Sequence, residues 1–185
     1  MELNSLSVVL EQRTQYPWEG EIQLTVTPSR TETFAIMLRY PGWCREFELF
    51  INGERVTDVT VLKGYLKLNR QWQQGDVIQL NLSMSAELVF CDERVIQNRG
   101  HACIVRGPLV YAAEEFDNPD FSSLNVGADS RFISERMDQP AVLILRDVVH
   151  GGVFVPYFSW DNRYPGKMRV WIPYLEREDN YLYSR

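Results

Sequence analysis

The sequence predicts an all-β protein, an antiparallel and jelly-roll-like β-sandwich carrying a small inserted lobe. Three observations predict it. Apolar and polar residues alternate in short runs, as in Ile22, Leu24 and Val26, which is the period-2 signature of a half-buried strand. Turn signals recur roughly every 8–12 residues over the stretch that ends near Leu82. No long stretch carries the 3.6-residue spacing of an amphipathic helix.

Taken in order, Leu6–Gln12 is the first strand, followed by the turn Tyr16-Pro17-Trp18-Glu19-Gly20. Glu21–Thr27 alternates cleanly and ends at Pro28-Ser29-Arg30. Phe34, Ile36 and Leu38 repeat the alternation, closed by Tyr40-Pro41-Gly42-Trp43, and Phe47, Leu49 and Ile51 repeat it again. Asn52-Gly53 supplies the positive backbone angles of a tight hairpin turn. A short strand over Val59–Leu62 turns at Lys63-Gly64 into Tyr65–Leu68, and Gln74-Gly75-Asp76 leads into Ile78, Leu80 and Leu82.

Ala86–Phe90 is a further strand, and Cys91–Arg94 breaks the pattern, while Val95–Arg99 is ambiguous. Between Glu114 and Asp138 the texture becomes acidic and rich in turn residues, and Asp129–Arg136 could form one or two helical turns capped by Asp129 or Ser130. Strands resume at Ala141–Leu145, Val153–Trp160 and Lys167–Ile172, with a loop over Asp161–Gly166. The expected division is a main sandwich from 1–117 plus 151–174, an inserted lobe over 118–150 and a tail over 175–185.

At 185 residues and 21.6 kDa the chain suits one domain with an insertion, large enough to bury about 70% of its unfolded surface. No apolar run approaches the roughly 20 residues of a membrane span. The first residues lack the basic and apolar regions of a secretory signal. These features predict a soluble chain without a membrane partner, and the cytoplasm is the favoured compartment. A net charge of −6 with scattered Lys and Arg argues against nucleic acid. The cysteines Cys44, Cys91 and Cys103 form no C-x-x-C, so they are expected to be small buried hydrophobes rather than a disulfide frame.

The search for chemistry yields little that is sharp. With His101 and His150 alone and no clustered Cys and His, no metal or other cofactor is expected in this chain. Carboxylates that could serve as a glycosidase pair abound (Glu11, Glu19, Glu46, Glu87, Asp92, Glu93, Asp161), but no sequence setting selects two of them. Sugar binding is the better prospect, because Trp160-Asp161-Asn162-Arg163-Tyr164 places aromatic and planar polar side chains in one loop. The alternative is a core Trp160 beside an ordinary Asx turn. Arg106-Gly107-Pro108-Leu109-Val110-Tyr111 lies between two strand-like runs. It reads either as one strand kinked at Gly-Pro, with Arg106 aimed out of the bend, or as two strands joined by a turn.

Several motifs occur in a definite order. They are Tyr16–Gly20, Phe34–Cys44 (FAIMLRYPGWC), Ile51–Glu54, Gly64–Leu66, Gly75–Val77, Arg106–Tyr111, Pro156–Arg163 and Met168–Trp171. Together they resemble the C-terminal part of glycoside hydrolase family 127, the β-L-arabinofuranosidase-like proteins, over residues 6–173. The resemblance implies that the active site belongs to an N-terminal helical (α/α) barrel, with a zinc-bound cysteine as nucleophile and a glutamate as acid/base. It implies adjacent cysteines there, which Cys44, Cys91 and Cys103 do not match, so no catalytic residue carries over. It also implies a second inserted β-domain, for which 118–150 is short.

The expected role is therefore accessory: a non-catalytic sandwich that packs on the catalytic barrel of the same polypeptide and stabilises it. The resemblance favours the kinked strand, with Arg106 as a hydrogen-bonding fork. The alternatives are a carbohydrate-binding module with a glycan partner, or an oligomerisation domain forming a homodimer. Candidate sugar or domain-interface contacts are Trp18, Arg106, Trp160, Asp161, Asn162 and Arg163.

Overall fold

The structure is a computed structural model that describes residues 2–3, 6–138 and 141–176. The described residues form strands, turns and single 3-10 turns, so the all-β expectation holds. The chain divides into two compact units, Met1–Ser85 and Ala86–Arg185.

The strands of the first unit are β1 (Glu2–Leu3), β2 (Leu6–Thr14), β3 (Glu21–Pro28), β4 (Glu32–Arg39), β5 (Phe47–Ile51), β6 (Glu54–Arg55), β7 (Thr60–Leu62), β8 (Tyr65–Trp72) and β9 (Asp76–Leu82). One sheet runs β1-β2-β3-β9-β5-β6 and the other β4-β8-β7, all pairs antiparallel. Alternation places Leu24, Val26, Leu49, Ile51, Ile78 and Leu80 of the first sheet in one core with Ile36, Leu38, Leu66, Leu68 and Trp72 of the second. Two sheets sharing a core make this unit a sandwich. Trp72 is fully buried, and its indole Nε1–H donates to the Phe34 carbonyl at 3.0 Å. The Asn52-Gly53 turn behaves as its residues dictate, with φ of 53° and 82°, the two left-handed residues a type I′ hairpin requires.

The second unit contains β10 (Ala86–Val89), β11 (His101–Arg106), β12 (Leu109–Glu114), β13 (Val126–Gly127), β14 (Phe132–Asp138), β15 (Ala141–Asp147), β16 (Val153–Pro156), β17 (Met168–Arg169) and β18 (Trp171–Leu175). The sheet order is β13-β18-β11-β12-β16-β15-β14, with β10 also on β11 and β17 also on β12. Its core gathers Ala102, Ile104, Tyr111, Phe121, Leu145, Phe154 and Ile172.

Several expectations are corrected here. The break falls at Ser85 and Ala86, not around an inserted lobe at 118–150. Within 118–150, β15 pairs with β16 at Leu145↔Phe154, and β16 pairs with β12, so this stretch belongs to the same sheet as its neighbours. Asp129–Arg136 is not helical. Its second half enters β14, which pairs with β15 over seven residues, and Asp147 takes the capping role instead. The Asp147 carboxylate accepts the N–H groups of Arg131, Val149 and His150 at 3.2, 3.0 and 3.3 Å.

Gly107-Pro108 is a two-residue hairpin turn between β11 and β12, with Arg106 opposite Leu109. Gly107 takes φ +57°, the conformation glycine supplies at the first central position of a tight hairpin. The kinked single strand is thereby replaced by two strands. Lys167–Ile172 also splits, because β17 pairs with β12 while β18 pairs with β11. Val153–Trp160 becomes the strand β16 followed by a 3-10 turn over Tyr157–Ser159. Of the expected tail, Leu175 closes β18, and residues 177–185 lie outside the described residues.

Candidate functional site

The second unit concentrates polar chemistry where β12 ends. Glu114 is the last residue of β12, and a single 3-10 turn, Glu115–Asp117, follows it. The buried Asn118 locks that turn to β16. Its amide nitrogen donates to the carbonyls of Glu114 and Val153 at 2.8 and 2.9 Å, and its oxygen accepts the Val153 N–H at 2.9 Å.

From the distant loop after β16, Arg163 reaches into this turn. Its Nη1 donates to Asp117 Oδ1 at 2.9 Å, and its Nη2 donates to Asp117 Oδ2 and Glu114 Oε2. All three side chains are mostly buried, at 15% exposed for Arg163, 7% for Glu114 and 13% for Asp117. The fork to Asp117, opposed by burial and aided by Glu114, lifts the guanidinium pKa further above its ordinary value. The other Glu114 oxygen accepts the Asp161 N–H at 2.8 Å, and Asp161 takes φ +60°. That hydrogen bond accompanies a left-handed conformation that Asp tolerates better than most residues.

This framework presents two rings to solvent. Phe116, on the 3-10 turn between the two carboxylates, stacks on Tyr164, the residue after Arg163, with centroids 4.4 Å apart and planes 28° apart. The Arg163 guanidinium carbon also lies 5.4 Å from the Phe116 ring centroid. Phe116 is 55% and Tyr164 57% exposed. Beside them Lys167 pairs with Glu115, Nζ to Oε1 at 3.3 Å.

The expected site residues thus separate. Asp161 and Arg163 join one network, with Asp161 entering through its backbone, and Asn162 is exposed in the same loop. Trp160 is half-buried at the end of the 3-10 turn. Arg106 is half-buried at the hairpin. Its charge offsets part of the rise that burial imposes on the Tyr111 phenol, which reaches about 12. Trp18 belongs to the first unit, half-buried in the turn where its N–H donates to the Gln15 carbonyl at 2.8 Å. Sequence reasoning missed Glu114, Asp117 and Phe116, which stand 46 to 49 residues from Arg163. Their only local signal was the acidic texture of Glu114–Asp120.

The first unit has a cleft of about 570 Å³ lined by Tyr40, Phe47, Glu48, Arg55 and Asn81 among others. Two of the charges lining it pair with each other, Arg55 Nη2 to Glu48 Oε1 at 3.1 Å. The resemblance implies zinc in the barrel, and the described residues offer no cluster to hold one. Among the described residues no three His, Cys, Asp or Glu side chains converge. Cys44 and Cys103 are buried, and burial pushes the Cys103 thiol up to about 11. Among the described residues no helix is long and apolar enough to cross a membrane.

Tandem β-units of this kind match two models of one hydrolase family. Residues 1–84 match the β-L-arabinofuranosidase GH127 middle domain, and residues 86–173 match the glycoside hydrolase family 127 C-terminal domain. The chain belongs to glycoside hydrolase family 127. The boundary between the two matches coincides with the division between the units.

The chain is 31% identical over 201 residues to the non-reducing end β-L-arabinofuranosidase of Bifidobacterium longum subsp. longum, covering 88% of this chain and 30% of that protein. Among solved structures it resembles a GH127 β-L-arabinofuranosidase from Geobacillus stearothermophilus T6, with TM-score 0.87 and 32% identity over 95% of this chain and 32% of that one. It also resembles a GH127 β-arabinofuranosidase with TM-score 0.82 and 26% identity, over 95% of this chain and 33% of that one. The chain therefore spans about a third or less of the length of these relatives.

Proposed function

We propose that this chain is the non-catalytic β-portion of a longer arabinofuranoside-acting glycoside hydrolase, packing on a catalytic barrel of the same polypeptide and stabilising it. The observation that carries this reading is the coincidence of the two units with the middle and C-terminal family domains, in a chain one third the length of its enzyme relatives. The resemblance assigns zinc and the nucleophilic cysteine to the barrel. In this reading the buried thiols of Cys44 and Cys103 are packing groups. The test compares hydrolysis of an aryl β-L-arabinofuranoside by this chain alone, with zinc supplied, and by the full polypeptide. The expected result is turnover by the full polypeptide only, and a lower melting temperature for the barrel when the β-portion is removed. Zinc-dependent turnover by this chain alone would overturn the proposal.

A further inference from the structure

We propose that the Phe116–Tyr164 ring pair is a saccharide-binding platform, a non-catalytic site that takes one face of a neutral sugar ring. This goes beyond the accessory role and does not depend on it.

The first argument is preorganisation. Exposed aromatic side chains ordinarily lose rotamer freedom when they bind, which weakens binding. Here the backbone beneath both rings is already fixed. Glu114 and Asp117 flank Phe116 and both hold Arg163, Tyr164 follows Arg163 directly, and Asn118 ties the turn to β16. The rings also steady each other by stacking at 4.4 Å. A buried three-charge network is an expensive way to shape a surface loop, since desolvation offsets much of its attraction. What it holds in place is the pair of solvent-facing rings.

The second argument is chemical. Stacking on Phe116 uses one face of Tyr164, and that residue remains more than half exposed. The C–H face of a sugar ring is weakly positive and suits the negative face of an aromatic quadrupole. The exposed Asp161 and Asn162, earlier in the same loop, supply planar hydrogen-bonding groups for hydroxyls. Both cations beside the rings are already paired, Arg163 with Asp117 and Glu114 and Lys167 with Glu115, so neither is left for an anionic ligand. A neutral polyol fits that setting better than an anionic ligand. Two rings with a charged rim are also small beside the roughly 1,000 Å² a stable protein interface needs.

The experiment titrates this chain with neutral arabino- and cello-oligosaccharides, followed by calorimetry and intrinsic fluorescence. Saturable binding to at least one probe with Kd of about 1 mM is expected. Tyr164→Ala should weaken it about tenfold or more, the loss of one stacking ring, while Tyr164→Phe should stay within about twofold. Tyr164 is on the surface, so the melting temperature serves as the folding control, and Tyr164→Phe keeps the test decisive if Tyr164→Ala unfolds. Absence of saturable binding to every probe, or equal affinity in Tyr164→Ala, overturns the proposal. So does concentration-dependent self-association that Tyr164→Ala abolishes without any sugar binding, because the rings would then be a protein contact. Failure here leaves the comparison of this chain with the full polypeptide untouched, so the two proposals fall separately.

Discussion

Arg163 and Asp117, 46 residues apart, meet as a two-armed fork inside the second unit, with neither side chain more than 15% exposed. The same guanidinium serves Glu114, so two buried carboxylates share one cation.

Removing that cation is therefore costly. Arg163→Met should destabilise the second unit by about 3–5 kcal/mol, because two desolvated carboxylates are left without their partner. Arg163→Lys should recover only part of it, since an ammonium cannot reproduce the planar fork. Urea unfolding followed by near-UV circular dichroism measures both. Equal stability of Arg163→Met and the parent chain would contradict the arrangement.

Asp76 makes the first unit sensitive to acid. Burial alone would raise its carboxyl, but the Gln73 N–H, the Asn52 amide and the Arg70 charge outweigh burial and hold it below the usual range. Its Oδ1 accepts Asn52 Nδ2 at 2.9 Å and its Oδ2 accepts Gln73 N–H at 3.0 Å, while Asn52 Oδ1 accepts the Val77 N–H at 2.8 Å. A depressed carboxylate contributes stability that is fully present above its unfolded pKa of about 4 and is lost as pH falls through the lower folded value. Asp76→Asn should cost about 1–3 kcal/mol at neutral pH. The gap to the parent chain should close below about pH 4. Denaturant midpoints of the two proteins between neutral and strongly acidic pH test this, and a gap independent of pH would refute it.

The thiols should separate by burial. Cys103 is pushed up to about 11 by desolvation, and Cys44 is raised by the same cause, offset in part by the backbone of Ser83 and Glu46. Cys91 is only half-buried. Because the thiolate is the reactive form, iodoacetamide at mildly alkaline pH should modify Cys91 first and reach Cys44 and Cys103 only after denaturation. Peptide mass spectrometry distinguishes the sites, and rapid labelling of Cys103 in the folded chain would contradict its placement.

Much of the local structure was legible in the residues. The alternation of Ile22, Leu24 and Val26 announced β3, and Leu24 and Val26 are indeed buried. Asn52-Gly53 announced its hairpin because few residues tolerate two successive positive φ angles. The ordered motifs from Tyr16 to Trp171 announced the family. Period and turn chemistry are short-range properties, so they survive in a linear reading.

Four things were decided only by tertiary structure. The division at Ser85 has no Gly or Pro to mark it, because a unit boundary is set by which strands share a core. The acidic stretch after Glu114 looked like the start of a lobe, yet the ladder from β14 through β16 to β12 binds it to the sheet. Gly107-Pro108 could locally be a bend or a turn, and the pairing of Arg106 with Leu109 chose the turn. The Arg163 network joins residues 46 to 49 positions apart. The sequence by itself determined which segments extend and where they reverse. Pairing, burial of charge and the placement of Phe116 against Tyr164 depend on partners far along the chain, and only the folded arrangement selects them.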